Sequence, residues 1–215
     1  MNAVEIKGLN KSFGKRTIIR DFDLTVREGE FIALMGPSGC GKSTLLNMIG
    51  LLEPCDSGTI LLGGKKNPKV ESSKATNLRR NTINYLFQSY ALINDATVMD
   101  NLLCGMYFLD ISDKEKKKRA SSVLKKVGLL ELKNEKVNTL SGGEMQRVAI
   151  ARCILKPGDI ILADEPTGAL DVKTAESVFR LLLALRDEYN KTIIMVTHSP
   201  ELAKRADRIV SLSRL

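Results

Sequence analysis

The chain has 215 residues, 43% hydrophobic and 27% charged, with a net charge of +8. This is the balance of a soluble globular protein with one domain, or one domain and a subdomain, around a proper core. No stretch reaches the roughly 18 consecutive apolar residues of a membrane span, and the start, MNAVEIKGLNKSF, has no apolar signal region. The expectation is therefore a cytoplasmic protein, with any membrane crossing left to another chain.

The first thirty residues alternate, placing Phe22, Leu24 and Val26 on one face of a half-buried, antiparallel sheet. Phe13 belongs to this sheet. Its pattern favours core packing, whereas an exposed ring there would stack on adenine. FIALMG (31–36) then reads as a central strand buried on both faces.

The strand runs into GPSGCGKST, where Gly36, Pro37, Ser38, Gly39, Cys40, Gly41, Lys42, Ser43 and Thr44 match the GxxxxGK[ST] phosphate loop opening a helix. Its glycines let backbone amides wrap phosphate oxygens. Lys42 is expected to reach the β- and γ-phosphates, Ser43 to bind Mg²⁺, and Thr44 to lie near the α-phosphate. Cys40, Cys55, Cys104 and Cys153 form no CxxC pair or metal spacing and read as reduced thiols. Modification of Cys40 is expected to disturb the loop.

Gln88 follows INYLF and is either a ligand for Mg²⁺ and water or an ordinary polar residue at a strand end. Between about 89 and 158 no segment has a strong buried-strand pattern, so this part reads as a helical insert. Ser112 and Glu115 suggest a capping box for a helix carrying Ala120, Val123, Leu124 and Val127, and the basic run 113–119 reads as its solvated face. A second helix is expected from Ser141 to the break at Pro157-Gly158. Ser141 and Glu144 form a capping box around Gly142 and Gly143, which suits an anion.

DIILAD (159–164) reads as another buried strand, ending in Asp164 and Glu165. Asp164 suits a Mg²⁺ site at a strand end, and Glu165 a general base for an attacking water. A helix is expected over 174–189, with Val178, Leu181, Leu182 and Leu185 inward. TIIMVTH (192–198) is a third buried strand. It ends in the single histidine, His198, either a polar cap or a donor to a γ-phosphate. Alternating strands and helices give an α/β sheet.

In this order these elements resemble the ATP-binding-cassette ATPases, the motor subunits of ABC transporters, over the whole chain. The resemblance implies a RecA-like P-loop NTPase core with an N-terminal antiparallel β subdomain (1–88 and 159–215), carrying an inserted α-helical subdomain (89–158). It makes Gln88 the Q-loop residue, LSGGEMQR the signature, GALD (168–171) the D-loop and His198 the switch histidine. At Phe13 the family usually has Tyr, which leaves the stacking face intact. Two copies would pack head to tail around two ATP molecules with Mg²⁺ held by Ser43, Gln88 and Asp164. Ser141, Gly142, Gly143 and, a turn further in, Gln146 would serve the partner's ATP, and Ala169, Leu170 and Asp171 would meet across the interface.

The finer likeness is to subunits of macrolide-exporter, lipoprotein-releasing and cell-division-type systems, and within that branch to bacteriocin exporters. A separate permease is implied, docked near Tyr90, Leu92 and Met99 unless those residues form the insert's own core. A non-transport motor acting through a membrane partner is the alternative. A DNA- or ribosome-acting cassette fits poorly, because the long insertions or tandem cassettes of such proteins are missing here.

Overall fold

The computed structural model describes residues 1–213. β1 (Asn2–Phe13) and β2 (Arg16–Arg27) form an antiparallel hairpin. It buries Val4, Ile6, Leu9, Leu24 and Val26, with Phe22 of the expected face half-buried and a register shift between Ile6 and Leu9. The chain then enters a second sheet through β3 (Phe31–Met35) and helix α1 (Lys42–Ile49). It returns to the first with β4 (Ser57–Leu62) and β5 (Lys65–Lys66), giving the order β2-β1-β4-β5.

Helix α2 (Ser73–Asn81) leads to β6 (Ile83–Leu86). Three helices follow: α3 (Val98–Gly105), α4 (Asp113–Lys126) and α5 (Gly142–Leu155). The chain then alternates through β7 (Ile160–Asp164), α6 (Val172–Tyr189), β8 (Thr192–Val196), α7 (Pro200–Ala203) and β9 (Arg208–Ser211). The second sheet is parallel, in the order β6-β7-β8-β3-β9. β8 therefore lies between β7 and β3, and its Val196 is in register with both Asp164 and Leu34.

Both faces of this sheet are covered, which explains its unbroken apolar runs. On one face Ile32, Leu34, Ile194 and Val196 pack with α1 and the antiparallel sheet. On the other, Phe31, Ile193 and Met195 pack with Val178, Phe179, Leu182 and Leu185 of α6. A third core joins α3, α4 and α5 through Leu102, Leu124 and Val148. Helix α5 belongs to two cores at once, since its Ala149, Ile150 and Cys153 lie under the parallel sheet.

Ser112 caps α4 by accepting from Glu115 N at 3.3 Å. The expected capping box is only half made, because the Glu115 carboxylate takes Arg119 Nε at 2.9 Å, the i,i+4 partner on its own face. Tyr90, Leu92 and Met99 are half-buried against the second and third cores. The more exposed aromatics of this region are Tyr107 and Phe108, packed edge to face, with Arg80 over the Phe108 ring.

Candidate functional site

At the carboxyl end of β3 the chain turns through Gly36 to Thr44 into α1. Gly41 takes φ 99° to start the helix, and a Cβ on it would lie 2.6 Å from Ile18 Cγ2, so only glycine fits. No side chain caps α1, which leaves its first-turn N–H groups to a ligand. Lys42 is buried, its ammonium donating to the carbonyls of Gly36 (2.8 Å) and Pro37 (2.9 Å).

A cavity of about 230 Å³ opens here, lined by Ser38, Gly39, Gly41, Lys42, Ser43 and Thr44 of the loop. Gly36, Pro37 and Cys40 do not line it. The first two aim their carbonyls at Lys42, and Cys40 turns into the core with Sγ 4.0 Å from Lys42 Nζ. Cys40, whose modification is expected to disturb the loop, has its side chain buried.

Ser43 Oγ donates to Asp164 Oδ1 at 3.0 Å, joining the start of α1 to the end of β7. Burial pushes the Asp164 carboxyl above its usual range. The Ser43 hydrogen bond opposes this, the neighbouring Glu165 charge adds to it, and Lys42 again opposes. Glu165 follows with φ 47°, a left-handed conformation costly for a non-glycine residue. It is held there by hydrogen bonds from its own N–H to Val196 O and from Gly168 N–H to its carbonyl. His198, reached through β8, places Nε2 3.0 Å from Glu165 Oε1.

Glu165 and His198 line the loop cavity and also a second cavity of about 400 Å³, which Thr167, Gly168 and Leu170 border. The two side chains form the wall between these spaces. Ala169 is exposed; Leu170 is half-buried, its Cδ2 near Gly142. Asp171 caps α6 by accepting from Thr174 N and Lys173 N, and hydrogen bonding from Thr174 above all holds its carboxyl below the usual range.

Phe13 is 50% exposed with Lys11 Nζ 4.9 Å from its ring centroid, so core packing is not its role. Its hairpin partner Arg16, unmarked in the sequence reading, lines the cavity beside Ile18 and donates Nη2 to Gly39 O at 3.3 Å. Strand pairing alone carries Arg16 there. Gln88 is exposed just beyond β6 and does not line the loop cavity.

At the far helix, the capping box at Ser141 is complete. Ser141 Oγ and N–H donate to Glu144 Oε2, and Glu144 N–H donates back to Ser141 Oγ. Ser141's donors are thus taken within the chain, leaving the amides of Gly142 and Gly143. Gln146 does not stand with them. It is fully buried, and among the described residues neither of its amide atoms has a partner. Gly143, Gln146, Ile150 and Cys153 recur at helical spacing on the buried face of α5, which places Gln146 inward. No residue from 141 to 146 lines the loop cavity of the same chain.

A family model described as "ABC transporter" matches residues 19–168. The lipoprotein-releasing system ATP-binding protein LolD 1 of Rhodopseudomonas palustris is 41% identical over 216 residues, covering 97% of this chain and 95% of that protein. The macrolide export ATP-binding/permease protein MacB of Aggregatibacter actinomycetemcomitans is 39% identical, and the chain spans 33% of that relative's length. Among solved structures, the dimeric post-hydrolysis state of the ATP-binding cassette MJ0796 bound to ADP and Pi matches with a TM-score of 0.88 at 39% identity. That match covers 97% of this chain and 94% of the solved one.

Proposed function

The chain belongs to the ABC transporter family, and on that premise we propose that it is an ATP-hydrolysing subunit that dimerises around two ATP molecules to drive a separate membrane permease. The observation that carries this reading is the split site: the phosphate loop and the anion-suited start of α5 do not meet within one chain. A second copy, set head to tail, would complete each cavity with Gly142 and Gly143, and the D-loop residues 169–171 would lie at that seam.

Within one cavity, Lys42 and the α1 amides would hold the phosphates and Phe13 the base. Ser43 and Asp164 offer hard oxygen donors 3.0 Å apart, a set that suits Mg²⁺ with water and phosphate oxygens as its other ligands. When bound, the ion neutralises phosphate charge. Glu165 would accept the proton of the attacking water. His198, with Nε2 3.0 Å from Glu165 Oε1, would orient the carboxylate, and Gln88 would have to approach on closure. The division into a core (1–88, 159–215) and a helical part (89–158) belongs to this reading.

Among the described residues no helix is long and apolar enough to cross a membrane. In this reading the permease is a partner and this subunit works at the inner face of the cell membrane. A groove of about 230 Å³ lined by Leu52, Tyr85, Phe87 and Arg152 suits a short partner helix better than Tyr90, Leu92 or Met99, which are half-buried. Relatives named for macrolide export and lipoprotein release support a lipophilic or peptide cargo, with a bacteriocin as the narrowest version of that reading.

The test is the solution mass of Glu165→Gln with Mg-ATP, with Mg-ADP as control. A dimer in ATP only is expected, together with turnover lowered about 10²–10⁴-fold, the usual worth of a general base. Wild-type turnover would remove Glu165 from that role, and a monomer with ATP demonstrably bound would remove the composite site.

A further inference from the structure

Arg152, in the third turn of α5, donates Nη1 to Ala91 O at 2.7 Å and Nη2 to Tyr90 O at 3.1 Å. Tyr90 and Ala91 are consecutive residues in the left-handed region, with φ 64° and 49°. Side chains other than glycine rarely hold that conformation, so it persists only where the surroundings impose it. A planar guanidinium holds the two adjacent carbonyls with two separate nitrogens fixed in one plane, a spacing that the single nitrogen of an ammonium does not reproduce. These residues begin two positions after Gln88.

Tyr90 also reaches the opposite end of the same helix. A Cβ built on Gly142 would lie 3.0 Å from the Tyr90 hydroxyl. From Gly142 to Arg152 the helix rises about 15 Å; the Tyr90 carbonyl accepts from the Arg152 side chain at one end, and the Tyr90 hydroxyl lies beside Gly142 at the other. The C-terminal end of α5 is fastened as well. Lys156 Nζ donates to Arg79 O at 2.8 Å and Ile83 O at 2.5 Å, and the Asn84 amide donates to the carbonyls of Pro157 and Gly158. Arg152 lines the groove that also holds Tyr85 and Phe87, so anything seated there meets it.

We propose that Arg152 and Tyr90 form a strut that sets the position of Gly142 and Gly143 relative to the loop after Gln88. Arg152 is a positioning residue: it touches neither the phosphate loop nor a nucleotide, and it acts through Tyr90. A displacement of the loop at 89–92, from the groove side, then moves the two glycines with it. This rests on the reading above, in which Gly142 and Gly143 serve the partner's phosphate.

The test uses the full chain and the variant Arg152→Lys, which keeps charge and stem and loses the fork. By hydrogen exchange, amides in 89–92 and in 141–146 should both exchange about tenfold faster, while 36–44 stays within about twofold. A change confined to 89–92, or no change, overturns the strut; neither outcome depends on dimerisation. In a Glu165→Gln background, Arg152→Lys should raise the ATP concentration for half-maximal dimer at least about fivefold, with ADP affinity of the monomer unchanged. Where the parent dimerises, an equal ATP requirement in the variant also overturns the proposal. If the parent forms no dimer while both segments loosen together, the strut is upheld and the composite-site reading falls.

Discussion

Lys42 directs two of its three N–H donors at the carbonyls of Gly36 and Pro37, so the loop curls around the charge that a phosphate would meet. Every residue of the motif was legible as a motif, yet only part of it faces the cavity, because a loop this tight must turn some carbonyls and the Cys40 side chain inward. Phe13 was ambiguous, since alternation cannot say which side of a hairpin tip meets solvent; the ring is exposed beside the cavity residues Arg16 and Ile18. Phe13→Ala should weaken ATP binding about tenfold and leave tripolyphosphate binding unchanged, as base–aromatic stacking is worth about 1–3 kcal/mol. Equal loss with both ligands in a calorimetric titration would mean the ring shapes the loop and does not hold the base. Gln146 went astray for a different reason. Its nearness to the signature in sequence suggests a shared surface, whereas one turn beyond Gly143 its side chain is fully buried in the structure.

At the scale of elements, β3, β7, β8, α5 and α6 were readable because length, period and caps agree in each. β4, β5, β9 and α2 were not, since they are short or polar and owe their form to neighbours already in place. Helix α5 stands out for its C-terminal anchor. Burial pushes Lys156 down to about 8, while in the unfolded chain a lysine titrates near 10.4. The folded protein therefore holds fewer protons between those values. The penalty is fully present below pH 8 and lifts as pH rises through the window. Relative to Lys156→Met, the wild type should gain unfolding free energy between about pH 7.5 and 10 in chemical denaturation. A constant gap would show that Lys156 titrates as a free lysine. Cys153, one turn before it, is fully buried with its thiol pushed up to about 11 and should resist alkylation throughout.

The whole molecule adds its net charge of +8. Two such chains repel at long range, whereas contacts buried at their seam are poorly screened. Raising ionic strength from about 20 to 150 mM, which brings the Debye length near 8 Å, should tighten the ATP-dependent dimer of Glu165→Gln in sedimentation runs. Loosening would place a net attractive charge pattern at the interface. The α/β class was legible from alternating buried strands and helices. That α5 is shared between two cores was not, because no single-helix pattern reveals which neighbours each face will meet. The wall between the two cavities has its own consequence in time. It consists of two side chains, one of them half-exposed, and such side chains change rotamer in about picoseconds to nanoseconds. A typical enzyme completes about 10 cycles per second. A partition able to rearrange many times within one such cycle keeps no clock, so it does not by itself set the pace of turnover.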